Sequence, residues 1–327
     1  MYKSIILALF AAFLKLYISF NSLGTTDAIL FYRFARESQT KTNVEMYSEC
    51  IYNHTPLVTS VLRNLYIFAN EYNFNFAFLL RFPSIVADFL IFLMVFKTIP
   101  FKYQCLFALN PALIMISGYH GNIDSVMILG IVASLFFKNP LLSGLCFGFA
   151  IDIKILPILL LPCLMQKDIK WFIGAAITTI PVFLPFISYE MIRNIFGYQS
   201  YWGTWGIGFL FPKAVWLGGY MKYIIFICCI YFRKNIQMAM LALFVFLPGF
   251  GAQYMAWLQP FCRHRKIWAL TVLLTSIYTF YIYTVISGFP WYRGIATSNN
   301  SYWVPLGVFL WGFCLISVLR GFKVSLK

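Results

Sequence analysis

Eight stretches of this chain are apolar over a length that suits a bilayer: residues 4–20, 76–96, 101–118, 122–137, 171–187, 214–231, 267–286 and 302–319. A helix needs about 20 apolar residues to cross a hydrocarbon core about 30 Å thick, and so many runs in succession cannot share one water-soluble core. Composition agrees, with 61% hydrophobic and 11% charged residues against about half and a quarter in soluble domains. The chain therefore reads as an all-α polytopic membrane protein, with residues 1–327 forming a single integral membrane domain. Lys3 and the apolar residues 4–14 resemble a signal peptide, but Lys15 interrupts the run and no small-x-small cleavage site follows. The segment is read as an uncleaved first span.

Two further apolar segments, 139–165 and 235–262, are too long for one helix and too short for two full ones. Each has basic residues at both ends: Lys138 against Lys167 and Lys170, and Arg233 with Lys234 against Arg263, Arg265 and Lys266. Equal flanks predict hairpins that enter and return on one side, giving about 10–12 membrane segments. Fourteen basic residues then share the face of Lys3: Lys3, Lys97, Lys102, Lys138, Lys167, Lys170, Arg233, Lys234, Arg263, Arg265, Lys266, Arg320, Lys323 and Lys327. Eight lie opposite, on longer loops, so both termini are expected to be cytoplasmic. The net charge of +15 comes as ones and twos in linkers, a pattern that orients spans and does not suit nucleic acid. Of eight cysteines only Cys50 falls in a clearly polar outer segment, and no Cys/His spacing suits a metal.

The first outer loop, residues 21–75, holds five of the ten acidic residues: Asp27, Glu37, Glu45, Glu49 and Glu71. Two short surface helices are expected in it, Asp27 to Ser38, capped by Thr26 or Asp27, and Leu57 to Ala69, introduced by Thr55-Pro56. Asp27 emerges directly from the first span and is the candidate catalytic base; its plainer reading is a cap or first-turn acid favoured by the helix dipole. In Gly118-Tyr119-His120-Gly121-Asn122-Ile123-Asp124-Ser125, a tight turn needs only Gly and Asn, so His120 and Asp124 are surplus to it. They face a sugar or phosphate, or Asp124 caps the next helix. Asp152-Ile153-Lys154 lies at the tip of the first hairpin, where ionisable groups are costly unless paired or lining a polar cavity. Lys154 suits a phosphate, or forms a surface pair with Asp152.

The Gly249 to Phe261 run tops the second hairpin, and its Gln253 and Tyr254 offer donors to a sugar. Residues 198–212 combine rings and glycines suited to sugar stacking or to headgroups. Arg81 and Asp88, seven apart on one helix, and Asn110 before Pro111 read mainly as internal polar packing. The chain has no Walker loop, no Rossmann glycine pattern, no HExxH and no convincing internal repeat of the kind common in transporters.

These stretches resemble, in order, the GT-C class of integral membrane glycosyltransferases: Thr26-Asp27, Tyr52-Asn53-His54-Thr55-Pro56-Leu57, Asn110-Pro111, His120 to Ser125, Gly148-Phe149-Ala150 through Lys154 and Pro157, and the Gly249 to Phe261 run. The likeness is nearest to bacterial polyprenyl-phosphate-dependent mannosyltransferase-like proteins of the DUF2029 type, and more distant to the enzyme adding the first mannose to the glycosylphosphatidylinositol anchor. It implies a large first extracytoplasmic loop whose acid, here Asp27, is the catalytic base of an inverting transfer. It also implies a polyprenyl- or dolichyl-phosphate hexose, mannose above all, as donor. Lys154 and His120 are then expected to bind the donor phosphate, and Asp124, Asn122, Gln253 and Tyr254 the sugar or acceptor. The acceptor is a lipid or glycan, and the partners are the membrane and these lipid-linked substrates. Many relatives carry a second acid two residues after the first; here that position is Ile29, which weakens the case for a divalent cation.

The alternative is a transporter or lipid flippase, kept open by Lys15, Arg81 and Asp88. A third reading, a glycan polymerase or ligase, shares the donor. The expected location is a bacterial inner membrane, although Asn53-His54-Thr55 and Asn299-Asn300-Ser301 are glycosylation patterns that suit the endoplasmic reticulum.

Overall fold

The computed structural model describes residues 2–50, 52–197, 202–261, 265–283 and 305–325. Arg263, residues 198–201, and the segment 287–300 with the Asn299-Asn300-Ser301 pattern lie outside the described residues. The chain is α-helical, with no strand among the described residues.

The first helix, α1 (Tyr2–Phe20), buries Ser4, Ala8, Ala11, Lys15 and Ser19 and exposes Ile6, Leu9, Phe10, Phe13 and Tyr17. Large apolar side chains outside with small and polar ones inside is the arrangement a bilayer demands, since lipid solvates the former and only protein can partner the latter. Among the described residues, three helices are long and apolar enough to cross a membrane, Tyr2–Phe20, Phe76–Thr98 and Ile169–Phe186. Shorter apolar helices complete the bundle.

Three helices, not two, fold between the first and second spans: α2 (Thr26–Glu37), α3 (Asn43–Glu49) and α4 (Pro56–Glu71). The unexpected α3 begins with a capping box, Thr42 and Glu45 each closing on the other's backbone N–H, which satisfies two otherwise orphaned donors. The cap of α2 also precedes both expected residues, Thr26 and Asp27. Thr25 takes it, accepting from Asp27 N at 3.3 Å, because its hydroxyl can reach both that donor and a neighbouring carbonyl described below.

α5 (Phe76–Val95) packs against α1. The next span is broken: α6 (Phe101–Ala108) stops before Asn110, whose Oδ1 accepts from Ala112 N at 2.8 Å and starts α7 (Pro111–Met115). α7 runs into a π-helical turn, Ile116–His120, and α8 (Asp124–Phe136) leads away.

Both hairpins form. α9 (Pro140–Ile153) ends at Lys154, and the chain returns through a 3-10 turn and α10 (Leu161–Leu164). Gln166 Nε2 thereby reaches Ser143 Oγ, 3.0 Å away near the start of α9. α11 (Ile169–Phe183) lies against α9 so closely that a Cβ on Gly144 would sit 2.0 Å from Trp171 O, and one on Gly174 2.3 Å from Leu141 O. Only glycine permits that approach.

α12 (Tyr189–Phe196) crosses the face that carries α3, where Asn194 Nδ2 donates to Tyr47 O at 2.7 Å. After α13 (Gly206–Leu210) and α14 (Leu217–Tyr231), α15 (Ile236–Phe246) is buried all round from Ile236 to Val245. Its return, α16 (Tyr254–Trp257) and Gln259–Phe261, packs beside α17 (Arg265–Tyr281), with Gln259 Nε2 on Thr275 Oγ1 at 2.9 Å. α18 (Pro305–Ser325) covers α15 and α17.

Candidate functional site

The site is assembled by one buried arginine. Arg81 on α5 is fully buried and donates to Ser22 Oγ and Ser22 O, both at 2.8 Å, on the segment leaving α1. It also donates to Gly118 O at 3.1 Å and Tyr119 O at 3.3 Å on the π turn. A π turn leaves carbonyls without regular helical partners, and the guanidinium, with its planar fan of donors, satisfies them. The two segments are further tied by Thr25 Oγ1, which donates to His120 O at 2.6 Å. Gly121, at φ +83°, lets α2 close on the turn: a Cβ there would come within 2.9 Å of the Ala28 side chain.

This docking brings residues 93 to 95 positions apart onto one carboxylate. Asp27 Oδ2 lies 3.1 Å from His120 Nε2 and accepts from Asn122 Nδ2 at 3.1 Å. The Asn122 amide is oriented by its own oxygen, which accepts from Ile123 N at 2.7 Å. Both donors converge on Oδ2, so Oδ1 has no protein partner among the described residues, and the side chain is 34% exposed. Burial pushes the Asp27 carboxyl up, but the His120 ring, hydrogen bonds from His120 and Asn122, and the Lys154 charge outweigh it and hold the group below its ordinary value. Asp27 is thus an oriented, ionised carboxylate with one accessible oxygen at neutral pH.

Beside it, Lys154 pairs with Asp124 Oδ1. Asp124 is wholly buried, while the lysine side chain remains 19% exposed, so the positive end of the pair faces outward. The pair is formed with Asp124, not Asp152 as the plainer sequence reading had it. Lys154 Nζ also lies 6.0 Å from the Trp257 ring centroid. Asp152 is buried with Oδ1 unpartnered, and its main-chain carbonyl accepts from Thr55 Oγ1. Thr55 precedes α4 but makes no side-chain cap bond to it; its hydroxyl pins the outer loop to the hairpin tip.

Tyr254 is buried and its ring lies 4.2 Å from that of Trp257, on the Lys154 side of the site. Gln253 makes no hydrogen bond to either carboxylate among the described residues. Its amide folds back over Gly251, where a Cβ would meet it at 2.6 Å. Arg81, Asp88 and Asn110 are all buried, with Asp88 paired to Lys15 and Asn110 bonded to Ala112 N.

Two residues went unassigned by sequence reasoning. His54 packs its ring on Phe31, 4.8 Å away, and on Tyr52 at 5.4 Å. Burial first, and the Lys154 charge second, press its pKa down to about 3 against the opposing pull of Asp27. Its position just before Thr55-Pro56 was the only hint. Tyr283 places its hydroxyl 2.5 Å from His120 Nδ1; as one aromatic among many in an apolar run, it carried no signal.

Residues 85–211 match the family model described as glycosyltransferase family 87 (GT87). No curated protein and no solved structure matches the chain. The matched segment contains His120, Asn122, Asp124 and Lys154, and leaves out Asp27, Gln253 and Tyr254. With the apolar helices that surround it, the match supports an integral membrane glycosyltransferase acting on a sugar donor and an acceptor.

Proposed function

We propose that this chain transfers a hexose, mannose in the first instance, from a polyprenyl or dolichyl phosphate to a hydroxyl of a lipid or glycan, with inversion, and that Asp27 is the base. The observation that carries the reading is the division of labour within the carboxylate. Oδ2 is held by His120 and Asn122, which leaves Oδ1 to accept the proton of the attacking hydroxyl. As that O–H bond breaks, the acceptor oxygen bonds to the anomeric carbon, and the bond from that carbon to the phosphate oxygen breaks with its electron pair going to phosphate. The Lys154 ammonium offsets the charge developing on the leaving phosphate, while Asp124 compensates the lysine when no donor is bound. Tyr254 and Trp257 form the wall nearest the lysine, and the lipid tail runs between spans. By the distribution of basic residues, the termini are cytoplasmic and the reaction occurs on the opposite face.

The test is sugar transfer by purified protein in detergent, with polyprenyl phosphate mannose, glucose and arabinose as donors and a pool of acceptor lipids, beside Asp27→Asn. Asparagine keeps the shape and removes the proton acceptor, so kcat falls by about 10²–10⁴ with unfolding temperature unchanged. Transfer that survives in a folded Asp27→Asn moves the base elsewhere; no transfer with any of the donors overturns the substrate class.

A further inference from the structure

His120 bridges two oxygens. Nε2 lies 3.1 Å from Asp27 Oδ2 and Nδ1 lies 2.5 Å from Tyr283 Oη, while the His120 side chain is 6% exposed. An ionised carboxylate only accepts hydrogen bonds, so Nε2 must carry a proton. When the ring is neutral Nδ1 is then an acceptor, and among the described residues the group set against it is a phenol, which can donate. Tyr283 is itself held: it is 1% exposed, and its ring meets Tyr119 edge-on at 5.6 Å and His120 at 5.9 Å.

We propose that Tyr283 is a positioning residue for the reaction: its hydroxyl donates to His120 Nδ1, fixes the neutral Nε2–H tautomer and the plane of the ring, and so aims the N–H that orients Asp27. The inference rests on Asp27 acting as the base. The other ionisable groups close by among the described residues do not offer Nδ1 an alternative. Asp124 and Lys154 are engaged with one another, and Asn122 spends its donor on Asp27. A Tyr283→Phe change keeps the ring that packs on Tyr119 and removes only the donor. Nδ1 then becomes an unpaired acceptor in a buried place, the ring loses one of its two tethers, and a part of the general-base contribution is lost.

The test has two arms. Nitrogen-15 NMR of histidine-labelled protein in detergent, with His120 assigned by a His120→Gln variant among the three histidines of the chain, reads the tautomer without any substrate. The expected result is an Nε2–H ring with a hydrogen-bonded Nδ1 in the wild type, and an Nδ1 resonance moved to the position of a free acceptor in Tyr283→Phe. An Nδ1–H ring, an imidazolium at neutral pH, or no change in Tyr283→Phe overturns the proposal. Should the Phe variant not fold, 3-fluorotyrosine at 283, a stronger donor of nearly the same shape, is expected to move Nδ1 the opposite way; an unmoved resonance there overturns it equally.

The second arm is transfer by Tyr283→Phe, His120→Gln and the double variant, with the donors above. Tyr283→Phe is expected to lower kcat about tenfold, a part of the about 10²–10⁴ that a general base supplies, with KM unchanged, and to add nothing in the His120→Gln background. Losses that add, or that appear in KM, mark Tyr283 as ordinary packing. Activity retained in Asp27→Asn would remove the base reading alone, leaving the NMR arm to decide the tautomer.

Discussion

Replacing Lys15 by Met tests whether the charges in the spans are architecture or pathway. Lys15 Nζ lies 2.5 Å from Asp88 Oδ2, with the two side chains 5% and 8% exposed. The same oxygen takes Ser117 Oγ at 2.5 Å, and Ser117 in turn meets Ser125 at 3.1 Å. Methionine keeps most of the length of lysine but leaves Asp88 with a neutral hydroxyl as its remaining partner. Removing one member of a buried ion pair typically costs about 3–5 kcal/mol, whereas replacing both by apolar residues is often neutral or better. At roughly 2–4 °C per kcal/mol, Lys15→Met should lower the unfolding temperature by roughly 6–20 °C, and Lys15→Met/Asp88→Leu should recover most of it. The assay is thermal unfolding in detergent at one fixed scan rate, since such scans are irreversible, paired with sugar transfer. A double variant that unfolds as early as the single one refutes the ion-pair reasoning. One that regains its stability but loses transfer shows that the charges themselves act, which is what a translocation path would require.

Two further outcomes follow from the site. Lys154→Met should abolish transfer and also destabilise the fold by about 3–5 kcal/mol by stranding buried Asp124; Lys154→Met/Asp124→Asn should restore the unfolding temperature without restoring transfer, and recovery of transfer would exclude Lys154 from phosphate stabilisation. His54, held near pKa 3 against about 6.5 when unfolded, binds its proton in the unfolded chain first. Its contribution to stability is therefore complete above about pH 6.5 and is lost as pH falls toward 3. Unfolding temperature against pH should drop less steeply over that window in His54→Phe, and parallel curves would refute the assignment.

The apolar helices and the chain reversals were legible because apolar runs act locally, on consecutive residues, although three helices, not eight, reach spanning length among the described residues. α3 escaped because seven residues carry too short a pattern; Thr42 and Glu45, three apart, were the trace it left. The site was legible as a set of names more than as a constellation. Asp27, His120 and Asn122 stand out separately as polar residues at the ends of apolar runs. What joins them is Arg81 gripping main-chain carbonyls, and a carbonyl leaves no letter in a sequence. For the same reason Asp124 as the partner of Lys154, and Tyr283 behind His120, emerge only when distant segments are folded together.

The π turn at Ile116–His120 makes chain length as much a part of the site as side-chain identity. A π turn is a helical turn carrying one surplus residue, so losing any one of those five positions would return the segment to ordinary α-helix. Each residue advances a helix by about 100°, and His120 would swing away from Asp27 with every side chain of the site intact. Divergent descendants of such a site are therefore held to the length of 116–120 as well as to its residues, and an alignment scored by residue type alone would miss that constraint.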